Sequence, residues 1–397
     1  MNKWKTVPLG DICTRVCSGG TPKSNVEEYY NGDIPWLNTK EVDFNRIYET
    51  ERSISQLGFD NSSAKWVEPD TIVVAMYGAT AGKIGIIKNR MTTNQACCNL
   101  TINPLLADYN YVYFFLKTKY DYMLSLANGG AQQNLNAGII KQLEIPLPEL
   151  ETQKRIARIL SSLDDKIELN RKTNQNLEEQ AKAIFKSWFV DFEPFQDCEF
   201  VDSELGRIPK GWEVGTLGDI IELHDHKRIP LSSRQRENME KKYPYYGAAS
   251  LMDYVDNYLF DGVYTLLGED GTVVTDDGMP VLQYVWGKFW VNNHAHILTG
   301  KNGHSAETLY VLLKNTPVKS IVTGAVQPKI SQANLKSIPI IITPQDIIQK
   351  YGALIEPFFE EIRRNSDESS RLVSIRDTLL PKLMSGEISL KEETYGK

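Results

Sequence analysis

Three groups of residues have types and spacings that could do chemistry. Gly78-Ala-Thr-Ala-Gly-Lys83 carries the glycines and lysine of a phosphate-cradling loop. Such a loop needs four residues between its first glycine and the Gly-Lys pair, then Ser or Thr for magnesium. Here three intervene and Ile84 follows, so the spacing rejects nucleotide binding. What remains is a glycine-rich turn that sets Lys83 against a phosphate group, or an inert turn. His224-Asp-His226 and His294-Ala-His296 look like metal ligands, and on a strand His294 and His296 would share one face. No carboxylate stands at a recurring ligand spacing, so packing or a base contact is expected in preference to zinc. Cys13 and Cys17 could form a four-sulfur site with Cys97 and Cys98 only if the fold brought them together.

Side chains suited to base edges and phosphates gather in two stretches. The first holds Lys83, Lys88, Arg90, Thr93, Asn94 and Gln95, with Gln132, Gln133 and Asn134 later. The second holds Lys288, Asn292, Asn293, His294, Gln327 and Lys329. Asn and Gln pair bidentately with adenine, whereas Lys and Arg suit guanine or phosphate. For each residue the competing reading is a solvated loop side chain or a structural amide. Gln133 and Gln327 fall where the two halves of the chain are most alike, so a structural role is expected for both. A methyltransferase Asn/Asp-Pro-Pro-aromatic motif, a dinucleotide glycine fingerprint and a compact nuclease cluster are all missing. The expectation is a chain with no active site of its own.

The elements that must position these residues come in duplicate. Trp4-Lys-Thr-Val-Pro-Leu-Gly-Asp-Ile12 returns as Trp212-Glu-Val-Gly-Thr-Leu-Gly-Asp-Ile220, offset by 208. Gly129-Gly-Ala-Gln-Gln133, Ile140-Lys141 and Ile145 return as Gly324-Ala-Val-Gln327, Leu335-Lys336 and Ile340, offset by 195. Between these anchors the halves diverge. Two long amphipathic stretches follow the modules. Ile156, Leu160, Leu163, Ile167, Leu177, Ala181, Ile184 and Trp188 keep a heptad spacing, interrupted by Asn170 and Asn174. The same phase returns 195 residues later in Tyr351, Ile355, Phe358, Ile362, Asn365, Ser369, Leu372, Arg376, Leu379 and Leu383. Two matched stripes predict coiled-coil pairing, with Leu163, Ile167, Asn170, Leu177, Phe358, Ile362, Asn365 and Leu372 at the seam. The competing reading is two separate helices, each on its own module. Pro357 should kink the second helix. Thr71–Met76, Ile84–Ile87 and Val263–Leu267 read as strands, and Tyr109–Lys119 and Thr308–Lys314 as helices. The fold class is therefore α/β (α+β), with two globular modules and two long paired helices. The expected order is module one at 1–148, helix at 149–190, linker and module two at 191–342, helix at 343–388 and a tail at 389–397.

Composition fits this plan. Of 397 residues, 41% are hydrophobic and 24% charged, the balance of a globular protein. The net charge of −7 at first argues against nucleic acid. Yet residues 1–148 and 206–342 each hold 14 basic and 14 acidic residues. The deficit lies in 149–205, with 8 against 13, and in 343–397, with 8 against 10. DNA binding needs a local positive field, which this distribution permits. Met1–Pro8 has no apolar core, so no signal peptide is expected, and no apolar run approaches the roughly 18 residues of a membrane span. Five cysteines, two of them adjacent, fit a reducing cytoplasm better than a disulfide framework.

The whole pattern resembles type I restriction-modification specificity subunits. Ile184-Phe-Lys-Ser-Trp-Phe-Val-Asp-Phe-Glu-Pro194 and Glu204-Leu-Gly-Arg-Ile-Pro-Lys-Gly-Trp212 carry the likeness best. Ser18-Gly-Gly-Thr-Pro22, Ile34-Pro-Trp36, Tyr243-Pro-Tyr-Tyr-Gly-Ala248 and Leu379-Leu-Pro-Lys-Leu-Met-Ser-Gly-Glu387 support it. One departure is Pro148-Glu-Leu-Glu-Thr-Gln153, where the family favours Pro-Pro before the glutamine. The resemblance implies that each module is a target-recognition domain that reads half of a split sequence in double-stranded DNA, through the major groove, and that the two long helices run antiparallel between them as a ruler. It implies two methyltransferase and two motor-nuclease subunits as partners, which would use S-adenosylmethionine, ATP and magnesium. This chain would bind no cofactor. Two rivals stand beside it: a fused restriction-methylation enzyme, which the missing motifs disfavour, and a coiled-coil adaptor with two ligand-binding modules.

Overall fold

The computed structural model describes residues 4–128, 135–324 and 326–390. Gln132, Gln133 and Asn134 lie outside the described residues. The chain forms two compact units, residues 1–168 with 369–397, and residues 169–368. Both crossings between them fall inside the two long helices, α5 (Leu150–Phe189) and α9 (Gln345–Met384). Elements are numbered in chain order. Among the described residues no helix is long and apolar enough to cross a membrane.

The first unit contains β1 (Thr6–Pro8), β2 (Cys13–Ser18), β3 (Tyr30–Leu37), β4 (Asn45–Ile47), β5 (Ser53–Ile54) and α1 (Gln56–Asp60). It continues through β6 (Trp66–Val67), β7 (Thr71–Ala75), β8 (Ile84–Ile87), β9 (Met91–Thr93) and β10 (Cys97–Ile102). Helices α2 (Tyr109–Thr118), α3 (Tyr120–Asn128) and α4 (Ala137–Lys141) and strand β11 (Glu144–Pro146) complete it. The main sheet has the order β2-β10-β7-β8-β4, with a smaller sheet β5-β3-β9-β6 beside it. Strands β7 and β8 are buried along their whole length, as their unbroken Ile/Val runs require.

The second unit contains β12 (Phe200–Ser203), β13 (Gly206–Pro209), β14 (Glu213–Thr216), β15 (Ile221–Leu223), α6 (Ser233–Glu237), β16 (Tyr243–Tyr246) and β17 (Leu251–Val255). Then come β18 (Phe260–Gly268), β19 (Leu282–Val291), β20 (Ala295–Gly300), α7 (Ala306–Lys314), α8 (Gln332–Lys336) and β21 (Pro339–Ile342). Its main sheet runs β15-β20-β18-β19-β16-β17. Mixed strands and helices with two long helices are thus as expected.

The internal repeat has a structural cause. In each unit its two anchors pair with each other: β1 with β11, and β14 with β21. The Leu9 amide donates to the Leu143 carbonyl, and Leu217 to Ile338, both at 2.8 Å. A Cβ on Gly10 would lie 3.2 Å from that of Lys141, and one on Gly218 would lie 3.1 Å from that of Lys336. The repeated residues are the frame that closes each module, and a Cβ at either glycine would require the end of α4 or α8 to give by a few tenths of an ångström.

The long helices combine the two readings of the sequence. In the first unit Ile156, Ala157 and Leu160 of α5 enter the module core with Leu380, Leu383 and Met384 of α9. In the second, Ala181, Phe185 and Phe189 do so with Tyr351, Ile355, Phe359 and Ile362. Leu163, Ile167, Leu177 and Leu372 are half-buried. The stripe is therefore sealed by the modules at its ends and by the partner helix between them. Phe359, fully buried, takes the place expected of Phe358, which is half-buried. The spacing 351-355-359-362 follows the 3.6-residue helical period, from which a strict heptad drifts. Helix α9 continues unbroken through the exposed Pro357.

Asn170 and Asn365 are buried, as a seam position requires. Asn170 Nδ2 donates to the Asn365 carbonyl (3.2 Å) and to Glu368 (2.8 Å). Asn365 Nδ2 donates to Asn174 Oδ1 (2.9 Å), whose own amide reaches Ser366 Oγ (3.0 Å). A satisfied polar layer of this kind favours the one antiparallel register in which its partners meet.

Candidate nucleic-acid interface

The same tight turn stands before β10 and before β20. In the first unit the Asn94 amide donates to Leu37 at the end of β3 (2.9 Å). Its side-chain Oδ1 accepts from the Ala96 amide (3.1 Å), an Asx turn. The Ala96 carbonyl accepts from Met76, just past β7 (2.8 Å). In the second unit the Asn292 amide donates to Tyr246 at the end of β16 (3.0 Å), and Oδ1 accepts from His294 (2.8 Å). The His294 carbonyl accepts from Glu269, just past β18 (2.8 Å). The turn residues are offset by 198, as are Thr92 and Trp290 in the parallel pairs Trp36↔Thr92 and Tyr245↔Trp290, while the partners Leu37 and Tyr246 are offset by 209 and Met76 and Glu269 by 193. At the tip of each turn one polar side chain is exposed: Gln95 in one, Asn293 in the other.

This geometry sorts the sequence candidates. Thr93 is fully buried and its hydroxyl accepts from Asn99 (2.8 Å), which removes it from any surface. Asn94 and Asn292 are buried too, their amides spent on shaping the turns. The sequence reading offered all three as base contacts; burial makes them structural. Lys83 starts β8 on the rim that carries Gln95, and pairs with Asp43 at 2.7 Å. Lys88 and Arg90 lie past the other end of β8, about 13 Å away at ~3.3 Å per residue. There Lys88 meets Asp70 (2.5 Å), and Arg90 meets Glu68 (3.1 Å) while lying over the Trp66 ring. Burial works to lower the Lys88 pKa, but Asp70 and Tyr109 outweigh it and hold it above the usual value. The first cluster is thus split, and each of its cations has an acidic neighbour.

In the second unit Asn293 is exposed, and half-exposed His294 hydrogen-bonds Asp270 through Nδ1. Lys329 pairs with Glu269 at 3.1 Å, and Gln327 is exposed beside it. Lys288 lies in mid-β19, exposed, with Nζ 4.6 Å from the Tyr258 ring centroid. At the offset of 198 it matches Arg90, so both units hold a cation over an aromatic ring at this position.

The metal readings separate as well. His294 is in the turn and not on β20, so it shares no strand face with His296. Among the described residues the one three-ligand group is Asp225, Glu269 and His296. Both ring nitrogens of His296 already face acceptors, Asp225 at 2.6 Å and the Ile330 carbonyl at 2.8 Å. Arg228 reaches Glu269 at 2.6 Å and Asp225 at 3.5 Å. With neither nitrogen lone pair free and a guanidinium in place, the group is an ionic cluster and a poor cation site. Burial opposes the Asp225 charge, but His296, the Ile297 amide and Arg228 hold its pKa below the ordinary value. Cys97 and Cys98 face opposite sides of β10 and join different cores, so the four thiols do not converge.

Two features escaped the sequence reading. Arg228 is the hub of the second turn's support. Residues 227–242 hold six basic residues against two acidic ones, and Lys227, Arg234 and Lys242 are exposed. A short sliding charge window would have found this stretch; averaging over the module hid it.

The family model for the type I restriction modification DNA specificity domain matches residues 1–179 and 209–369. The specificity subunit of the type I restriction enzyme MjaIX of Methanocaldococcus jannaschii is 33% identical, over 98% of this chain and 94% of its own length. That of the HindI enzyme of Haemophilus influenzae is 23% identical, over 98% of this chain and all of its own length. The crystal structure of a type I restriction-modification S subunit from M. genitalium shares the fold, with a TM-score of 0.55, 20% identity and 96% of each chain covered. A duplicated frame, a duplicated turn and relatives matched along nearly the full length leave one assignment: this chain belongs to the type I restriction-modification specificity subunits.

Proposed function

We propose that this chain reads a two-part sequence in double-stranded DNA, one half-site per unit, through the rims that carry Gln95 and Asn293. The observation behind this reading is the pair of turns with the same hydrogen-bond pattern. Each buries the same asparagine for shape and exposes a different side chain, the arrangement expected of one scaffold made to read two sequences. The chain does no chemistry itself. It brings DNA to two methyltransferase subunits that methylate adenine with S-adenosylmethionine, and to two motor-nuclease subunits that use ATP and magnesium. Lys227, Arg234, Lys242 and Lys288 supply phosphate contacts in the second unit, adding affinity without sequence information.

The test maps methylated adenines in cells carrying the methyltransferase subunits, with and without this gene. A split motif that depends on the gene is expected. Gln95→Ala should relax one half of that motif and Asn293→Ala the other. A motif unaffected by deletion of the gene overturns the reading.

A further inference from the structure

The two turns are alike, but the second is held by something the first lacks. Arg228 is largely buried, with 13% of its side chain exposed. Its NH1 donates to the Ala295 carbonyl (2.8 Å) and Asn293 carbonyl (3.4 Å), on either side of His294, and to Glu269 (2.6 Å). Its Nε donates to the Asp225 carbonyl at 3.1 Å. Glu269 in turn donates its amide to the His294 carbonyl. Asp225 is fixed by the Ile297 amide (2.9 Å), by Gln332 (2.6 Å) and by His296 (2.6 Å), and Lys329 completes the ring on Glu269. One guanidinium therefore ties the carbonyls on either side of His294 to two carboxylates, buried Asp225 and half-buried Glu269, which follow the two strands that flank β20.

We infer that Arg228 is a positioning residue that holds the 292–294 turn, and that this cluster sets how sharply the second unit discriminates its half-site. The inference rests on the reading that this turn meets DNA. A planar five-donor fork can satisfy carbonyls and carboxylates together; a lysine ammonium cannot match its directions. Loss of the fork leaves the ion pair to Glu269 within reach of a lysine but releases the two carbonyls. A recognition group displaced by about 1 Å loses selectivity before the fold is lost. Among the described residues nothing similar backs the first turn. There Gly20 donates its amide to the Thr93 carbonyl (2.9 Å), and Cys98 fills the position matching His296.

The experiment uses the full chain in complex with its methyltransferase subunits. Methylation rate is measured on oligonucleotide duplexes in which every position of both half-sites is varied. Arg228→Lys should lower discrimination at the second half-site by about tenfold or more, the scale of one lost base contact. Discrimination at the first half-site and affinity for random DNA should be unchanged. Arg228→Gln should do the same with a larger loss of stability, and Gln332→Ala, at an exposed position, should give a smaller loss in the same half-site. If Asn293→Ala alters the second half-site while Arg228→Lys leaves it unchanged, the positioning role is wrong. If Asn293→Ala and His294→Ala both leave every position unchanged, the turn does not read DNA and the inference falls with it.

Discussion

The two units share a frame and differ in what stands behind the turn. All five histidines of the chain lie in the second unit and four of its five cysteines in the first. Behind Gln95 the support is thiol and backbone: Cys13, Cys17 and Cys98 near one another, with Gly19 and Gly20 against the turn. Burial pushes the Cys98 thiol up to about 12, so these sulfurs act as small apolar groups. Behind Asn293 the support is an ionic cluster. Strand β19 also does in one run what β8 and β9 do in two. Yet Asn94 and Asn292 make equivalent main-chain bonds to equivalent neighbours. The shape of the turn thus depends on its backbone hydrogen bonds and its Asx asparagine, and the core behind it is open to different chemistry.

The sharpest way to break the comparison is Gly19→Ala. A Cβ there would sit 2.0 Å from the Thr93 carbonyl oxygen and 2.5 Å from that of Asn94. Backbone cannot yield as a side-chain tip does, so a loss of about 3 kcal/mol or more is expected. Recognition of the first half-site should fail while the second unit keeps its own. Denaturant midpoints and methylation of duplexes mutated in each half-site check this; an unchanged first half-site would show that the close approach is dispensable.

Acid should act on the second unit through a buried histidine before it reaches the ionic cluster. Burial lowers His304, in the second unit, to about 4. The folded state thus favours neutral imidazole, and its contribution is complete above the unfolded value of about 6.5. It is lost as pH falls through the folded value, at most about 3 kcal/mol between roughly pH 6.5 and 4. Asp225 and Glu269, both held below their ordinary values, keep their contribution until the pH drops below about 4. Denaturant midpoints of the wild type should fall from pH 7 to 4.5, and those of His304→Gln should fall less. Parallel curves would rule out His304 as the source.

The smallest effect belongs to the matched cations. Arg90 is paired with Glu68, whereas Lys288 lies over the Tyr258 ring and makes no ion pair within 4 Å among the described residues. Lys288→Ala should make the plot of log affinity against log salt shallower by about 0.9. Arg90→Ala should change it less, because its carboxylate partner already offsets the charge. Equal slopes for the two variants would mean that the ion pair opens on binding DNA.

The sequence by itself determined the frame. Repeated Trp4–Ile12 and Trp212–Ile220 marked two modules, because closing a module demands a glycine and an apolar residue at fixed places. The helical stripes found α5 and α9, and the apolar runs found β7, β8 and β18, because period and burial are local properties of a chain. Local pattern also marked the stretches around Gln95 and Asn293. It did not separate the exposed tip from its buried neighbours, since Asn94, Gln95, Asn292 and Asn293 are chemically alike. Only the tertiary structure decided that, by bringing Leu37 and Met76, or Tyr246 and Glu269, to the turn. It also split Lys88 from Gln95 along the length of β8 and gave Lys83, Lys88 and Arg90 their acidic partners. It gathered Arg228, Glu269, His296 and Gln332 from across a hundred residues of sequence. Periodicity fixes which face a residue occupies, but a partner on another strand is chosen by sheet register, and no short window of sequence contains that.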